Sequence, residues 1–231
     1  MSIRTPTTPF AAFAMGLSLL LSMPPAVGQV SVGISVPGVS IGINVPVYPE
    51  LVRVPGYPVY YAPRLGTNFF FYDGMYWVLQ GNDWYASSWY NGPWTLVAPE
   101  VVPVYVLRVP VRYYRAPPTY FRGWRPDAPP RWGERFGRDW EQHRPGWDRW
   151  DRRAVPPPAP LPVYQRRYPA DRYPPPAQQP QLHERNYRYQ PREPVVQQMD
   201  PTRRRHDEPA KEKGEKGDKG DKGERGRDHN K

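Results

Sequence analysis

The sequence contains no cysteine. That removes disulfides, thiolate metal sites, a cysteine nucleophile and a lipid-modified cysteine in one step, so folding rests on packing and hydrogen bonding. Lysine is missing from most of the chain: it falls only between Lys211 and Lys231, and arginine supplies every cation from Arg4 to Arg205. No apolar run is long enough to span a bilayer. The stretch from Phe10 to Leu21 offers about 12 residues where a span needs roughly 20, and Pro24-Pro25 closes it. Catalytic signatures are missing too. There is no His-Glu-x-x-His pattern, no Gly-x-Ser-x-Gly elbow and no phosphate-cradling loop ahead of a helix. His143, His183, His206 and His229 are dispersed with no metal-site spacing, so no metal and no other cofactor is expected.

What is present begins with a leader. Residues 1–28 combine Arg4, the Phe10–Leu21 stretch and a small-residue exit at Ala26-Val27-Gly28, the arrangement of a cleavable secretory signal. This implies export to the periplasm or the cell surface, with no transmembrane span after cleavage. The net charge is +10. In an exported protein that excess points to envelope polyanions such as anionic lipid, lipopolysaccharide or acidic polysaccharide. Nucleic acid is disfavoured, because export and the lack of a recognisable binding motif both argue against it.

A nine-residue repeat comes after the leader, Val30-Ser-Val-Gly-Ile-Ser-Val-Pro-Gly38 and then Val39-Ser-Ile-Gly-Ile-Asn-Val-Pro-Val47. Its alternation of branched apolar and small residues predicts strands with one buried face. The clearest fold signal lies between Phe69 and Val111. Asp73-Gly74 separates Phe69–Tyr72 from Met75–Leu79, a strong hairpin pattern, and breaks at Gly81-Asn82-Asp83 and Asn91-Gly92 complete a four-stranded antiparallel meander. Val101–Val111 is a candidate fifth, edge strand, since Pro103 and Pro110 cannot donate to a central ladder. A two-residue loop at Asp73-Gly74 pairs Tyr72 with Met75 and Phe70 with Trp77, which sends Phe69, Phe71, Tyr76 and Val78 to the other face. Both faces are then apolar, and something must cover the second. The candidates are the Val30–Val47 strands, the Val52–Pro63 segment, or a ligand laid on an aromatic platform formed by Tyr76, Trp84, Trp89 and Trp94.

Beyond Arg112 the chain becomes basic and tryptophan-rich. Trp132, Phe136, Trp140, His143, Trp147 and Trp150 recur at helical spacing, which predicts two short helices broken near Pro145. That stripe either docks on the β-domain or lies in a membrane interface, with Arg135, Arg138, Arg149 and Arg152 reaching for phosphate. Residues 154–210, with runs such as Pro156-Pro157-Pro158 and Pro174-Pro175-Pro176, read as a disordered linker, and the Arg-Tyr pairs within it as solvated side chains. Residues 211–231 place glycine at every third position from Gly214 to Gly226, a collagen-like spacing with no proline inside it. The fold class expected is mainly β: a small antiparallel β-meander domain over 29–111, one or two short helices in a basic arm over 112–153, and a long disordered Pro/Arg-rich tail. A protease-resistant core should end between Arg112 and Arg153.

The stretches Val52-Arg-Val-Pro-Gly-Tyr-Pro-Val-Tyr-Tyr-Ala-Pro63, Trp84 to Trp94, Arg131-Trp-Gly-Glu134 and Leu161-Pro-Val-Tyr-Gln165 resemble a family of exported proline-, arginine- and aromatic-rich proteobacterial proteins with no assigned activity. The resemblance covers most of the mature chain to about Gln198; the lysine-glycine terminus departs from it. It implies export and brings no catalytic or binding residue. The acids near the meander, Asp73, Asp83 and Glu100, offer a glycosidase pair only on paper, because Asp73 and Asp83 stand where turns favour Asp for backbone reasons. The sequence thus describes a non-enzymatic envelope component that binds through basic and aromatic surface. A carbohydrate- or proline-rich-peptide-binding β-module is the alternative.

Overall fold

The computed structural model describes residues 42–200. The leader, the first copy of the repeat and the glycine-lysine terminus lie outside the described residues. The protein is mainly β: one six-stranded antiparallel sheet in sequence order, β1 (Val52–Arg53), β2 (Tyr60–Tyr61), β3 (Asn68–Tyr72), β4 (Met75–Gln80), β5 (Asp83–Ser87) and β6 (Thr95–Val97). Simple up-and-down order needs only short turns, and the turn chemistry supplies them. Asp73 and Gly74 both take positive φ, 50° and 91°, which is what a two-residue hairpin turn matching strand twist demands. The register is that predicted, Tyr72 opposite Met75 and Phe70 opposite Trp77. The edge strands are two and three residues long, so little unpaired backbone is offered to a neighbour.

Both faces of the sheet are apolar and both are covered. On face one, Phe70, Trp77, Leu79, Trp84 and Ala86 pack against Val106 and Leu107 of α1 (Val104–Leu107), against Trp132 and Trp140 of α2 (Trp132–Phe136) and α3 (Arg138–His143), and against Val196 and Met199 of α5 (Pro194–Met199). On face two, Phe69, Phe71, Tyr76 and Val78 join Trp89, Tyr90 and Trp94 beneath Val45, Ala159, Tyr164 and Tyr187. Each fully buried large side chain contributes about 1.5–3 kcal/mol of transfer free energy, so both layers matter to stability.

Three expectations are corrected here. Val101–Val111 forms no fifth meander strand. Pro103 and Pro110 bracket the four-residue α1, whose first turn closes on the Pro103 carbonyl (Val106 N donating at 3.0 Å, Leu107 N at 3.1 Å) and buries Val106 and Leu107. The described end of the repeat, residues 42–47, is not a strand either. Ile43 and Val45 still turn inward while Asn44 and Pro46 face water, but this stretch lies against face two, where Val45 N donates to Asn91 Oδ1 at 2.7 Å.

The largest correction concerns the supposed linker. Over residues 154–200 the chain is ordered: to about Tyr189 it is a strap across face two, with short helical turns and α4 (Gln179–Asn186), and α5 then turns onto face one. Val52–Pro63 extends the sheet in its own plane as β1 and β2 and leaves face two to the strap. Proline removes donors that would otherwise need partners, while tyrosine carries the apolar contact; the strap therefore buries aromatic rings without a strand or long helix of its own. Tyr168, Tyr173 and Tyr189 pack inward while Arg167, Arg172 and Arg188 stay exposed.

Two polar latches hold the strap. Gln165 is fully buried and uses all of its capacity: its Oε1 accepts from Tyr76 Oη at 3.0 Å and from Tyr90 N at 3.2 Å, and its Nε2 donates to the Ser88 carbonyl at 2.8 Å and to Tyr164 Oη at 3.2 Å. Tyr164 Oη in turn lies 2.9 Å from His183 Nδ1. Which of the two donates follows the imidazole tautomer, since the Tyr164 oxygen, already accepting from Gln165, can still either donate its proton or accept a second one. The second latch is Asp73, buried at the hairpin tip. Its carboxylate accepts from Tyr189 Oη at 2.6 Å, from Arg192 N at 2.9 and 3.0 Å, and from Glu193 N at 2.8 Å.

Candidate polyanion-binding surface

The basic arm is built around its tryptophans. Trp132, Trp140 and Trp147 are buried on face one, Phe136 and Trp150 pack at its margin, and the indole N–H of Trp132 donates to the Leu107 carbonyl at 2.8 Å. The stripe predicted from helical spacing is therefore the docking edge of the arm, and the rings of Trp132, Trp140 and Trp147 are not free to enter a membrane interface. The helices break at Gly137, whose φ is 87°, rather than at Pro145, because a residue free to turn left-handed lets α2 and α3 fold onto each other. Arg108 anchors the segment beyond α3. Its buried guanidinium donates to the carbonyls of Trp147 at 2.5 Å, Gly146 at 3.0 Å and Arg149 at 2.7 Å. Arg144 donates to the Val102 carbonyl in the same way. Burial lowers the pKa of both arginines.

With the apolar side turned in, the remaining arginines are turned out. Arg135, Arg138, Arg149 and Arg152 are all exposed, as are Arg115, Arg122, Arg125 and Arg153. The guanidinium of Arg135 lies 4.9 Å from the Tyr120 ring centre and that of Arg152 5.9 Å from Trp150, contacts that orient a cation without neutralising it. Among the described residues the ion pairs of the arm are Arg112 with Asp127 and Arg131 with Glu134; the four predicted contact arginines have none. From Arg112 to Arg153 eleven arginines stand against six carboxylates. The arm is thus a mixed but net positive face, held rigid by its tryptophan anchors.

The aromatic platform does not exist as a surface. Tyr76, Trp84 and Trp89 are fully buried and Trp94 is 3% exposed. They do not share a face either: Trp84 belongs to face one and the other three to face two. A ligand cannot stack on rings that the arm and strap already cover. Asp73 and Asp83 lie beyond opposite ends of β4 and do not meet, so the candidate carboxylate pair is not assembled. His143 is exposed with its ring nitrogen 2.7 Å from the Asp139 carbonyl, whereas His183 is buried with its pKa lowered, chiefly by desolvation and against the pull of Asp200.

Sequence reading missed Gln165, Asp73 as a latch, and Arg108. A Gln directly after the apolar run Leu161–Tyr164 was the available hint for the first. A cavity of about 160 Å³ opens beside the hairpin tip, between Tyr72, Tyr105, Tyr189 and Glu193. There Tyr72 Oη donates to Glu193 Oε1 at 2.9 Å, and burial with the neighbouring carboxylate raises the Tyr72 pKa. Among the described residues no helix is long and apolar enough to cross a membrane. Set against family models, curated proteins and solved structures, the chain matches none.

Proposed function

We propose that this is an exported, non-enzymatic protein of the cell envelope that associates with anionic surfaces through the arginine face of its docked arm. The observation that carries the reading is the sorting of side chains in residues 112–153: tryptophans inward, unpaired arginines outward. The leader pattern of residues 1–28 supports a location in the periplasm or at the cell surface. The partners of matching chemistry are anionic lipid, lipopolysaccharide and acidic polysaccharide. Exposed cations act over roughly 8 to 10 Å at physiological ionic strength, and a basic residue near an anionic membrane contributes about 1 kcal/mol. Association therefore sums several modest, salt-sensitive contacts.

The test is co-sedimentation with neutral and anionic phospholipid vesicles across a salt series. Retention on anionic vesicles alone, weakening as salt rises, is expected. The combined variant R135Q/R138Q/R149Q/R152Q should lose most of it while keeping its melting temperature. Equal retention on neutral and anionic vesicles overturns the reading.

A further inference from the structure

We infer that Tyr57, Trp150 and Arg152, seated over the buried Arg108, form a site for a phosphate ester, the point on the arginine face where a headgroup is recognised rather than merely attracted; this rests on the association of that face with anionic surfaces proposed above.

Arg108 is the centre of the site. It is only 7% exposed, and among the described residues no carboxylate lies within ion-pairing distance of it. Its hydrogen-bonding fork is used on three backbone carbonyls, and its charge lies 5.5 Å from the Tyr105 ring centre and 5.3 Å from that of Trp150. Asp148 and Glu193 attract it from farther off. Carbonyl dipoles and ring faces solvate a guanidinium but cannot cancel its charge, and a buried cation without a counter-ion is costly. Its charge is therefore felt at Trp150, the half-buried ring that it shares with the exposed Arg152.

That surface is furnished with donors. Trp150 is half-buried and packs on Tyr57, ring centres 4.7 Å apart. Arg152 is exposed over the same indole. The Tyr57 hydroxyl makes no hydrogen bond among the described residues and reaches solvent, although its ring is buried. Burial raises its pKa, and Arg152 and Arg108 oppose that rise without reversing it, so it remains a neutral O–H donor at physiological pH. Arg53 closes the rim by donating from Nε to the Tyr57 carbonyl at 3.1 Å. A guanidinium fork and a hydroxyl suit an acceptor with several oxygens, and the contribution of Arg108, being charge alone, grows with ligand charge. Both features favour a phosphomonoester over a carboxylate or a phosphodiester.

The full chain is titrated with neutral vesicles carrying either phosphatidate or phosphatidylglycerol, adjusted to equal surface potential. Several-fold tighter association with phosphatidate is expected. Y57F and R152Q should remove that preference, whereas R138Q, a charge outside the site, should weaken both lipids equally. Arg108 is left intact because it holds the arm. Equal affinity for the two lipids, or R152Q and R138Q behaving alike, overturns the site and leaves general electrostatic association standing; no association with either lipid overturns both. Inorganic phosphate at matched ionic strength separates the sources. Displacement from phosphatidate by the free ion means the site takes phosphate itself, and resistance to it means that the lipid headgroup is the ligand.

Discussion

Asp73 tests the strap most directly, because one carboxylate serves both the hairpin turn and the chain laid over it. Its four acceptor contacts reach three donors, two of them part-buried backbone N–H groups. Hydrogen bonds to a charged group contribute about 1.5–3 kcal/mol each, and leaving a buried donor empty costs a similar amount. Allowing for water entering the gap, removal of the carboxylate should cost about 4 kcal/mol. For a domain of about 150 residues that is a fall of roughly 8 to 16 °C in melting temperature. D73G isolates the effect, since glycine accepts the positive φ of 50° at no cost. D73N keeps a residue tolerant of that conformation but turns an amide toward a backbone donor, so it should lose at least half as much. Thermal melting followed by circular dichroism gives the magnitude, and hydrogen exchange at the Arg192 and Glu193 amides gives the location. If D73G melts within about 2 °C of the parent with both amides still protected, the latch is not what holds the strap.

The second latch should behave similarly: Q165L strands Tyr76, Tyr90 and Ser88 groups together and is expected to cost about 3 kcal/mol by denaturant titration, with unchanged slope. His183 sets a pH dependence. Its folded-state pKa lies below its unfolded value of about 6.5, so the stability it contributes is complete above that value and is lost as pH falls toward the folded pKa. H183N should flatten that acid limb, Tyr164, Tyr187 and Asp200 being the other polar groups at the imidazole. W132A removes the central anchor of the arm, a fully buried indole, and should cost about 3–5 kcal/mol. A chain ending at Arg153 should aggregate or bind a hydrophobic dye, and a peptide of residues 154–200 added in trans should restore solubility.

The meander was legible because its signals are local. A two-residue turn fixes register, and period-two alternation fixes which rings share a face, so the pairing of Tyr72 with Met75 could be read from the hairpin alone. The same reasoning required a cover for Phe69, Phe71, Tyr76 and Val78; of the segments it named, the end of the repeat does lie there through Ile43 and Val45, and it missed the strap that covers the rest. Segments rich in proline lack both periodicities on which sequence reading depends, and composition alone cannot separate a polyproline stretch in water from one held by partners elsewhere. What distinguishes residues 154–200 is placement: Tyr164, Tyr168 and Tyr173 find the Trp89 ring far earlier in the chain, and Tyr187 and Tyr189 find ring neighbours within the strap itself. Nothing in their immediate sequence announces that.

The arm shows the converse. Its helical period was visible, and so were the arginines between the rings, yet the same pattern describes a helix lying in a membrane interface and a helix docked on a protein. Deciding between them needs the other surface. Face one offers fully buried Phe70, Trp77 and Trp84, and burying three tryptophans against them is worth more than leaving the rings half-wet in a headgroup layer, because a close-packed interior adds dispersion contacts that lipid headgroups do not. Once the tryptophans are taken, the half-buried rings left beside exposed arginines are Tyr120 and Phe136 at Arg135 and Trp150 at Arg152. An anionic partner of this arm is therefore met by charge alone at Arg138 and by charge beside an aromatic ring at Arg152, where the buried Arg108 adds its own, which is why R152Q and R138Q, each the loss of one cation, should differ.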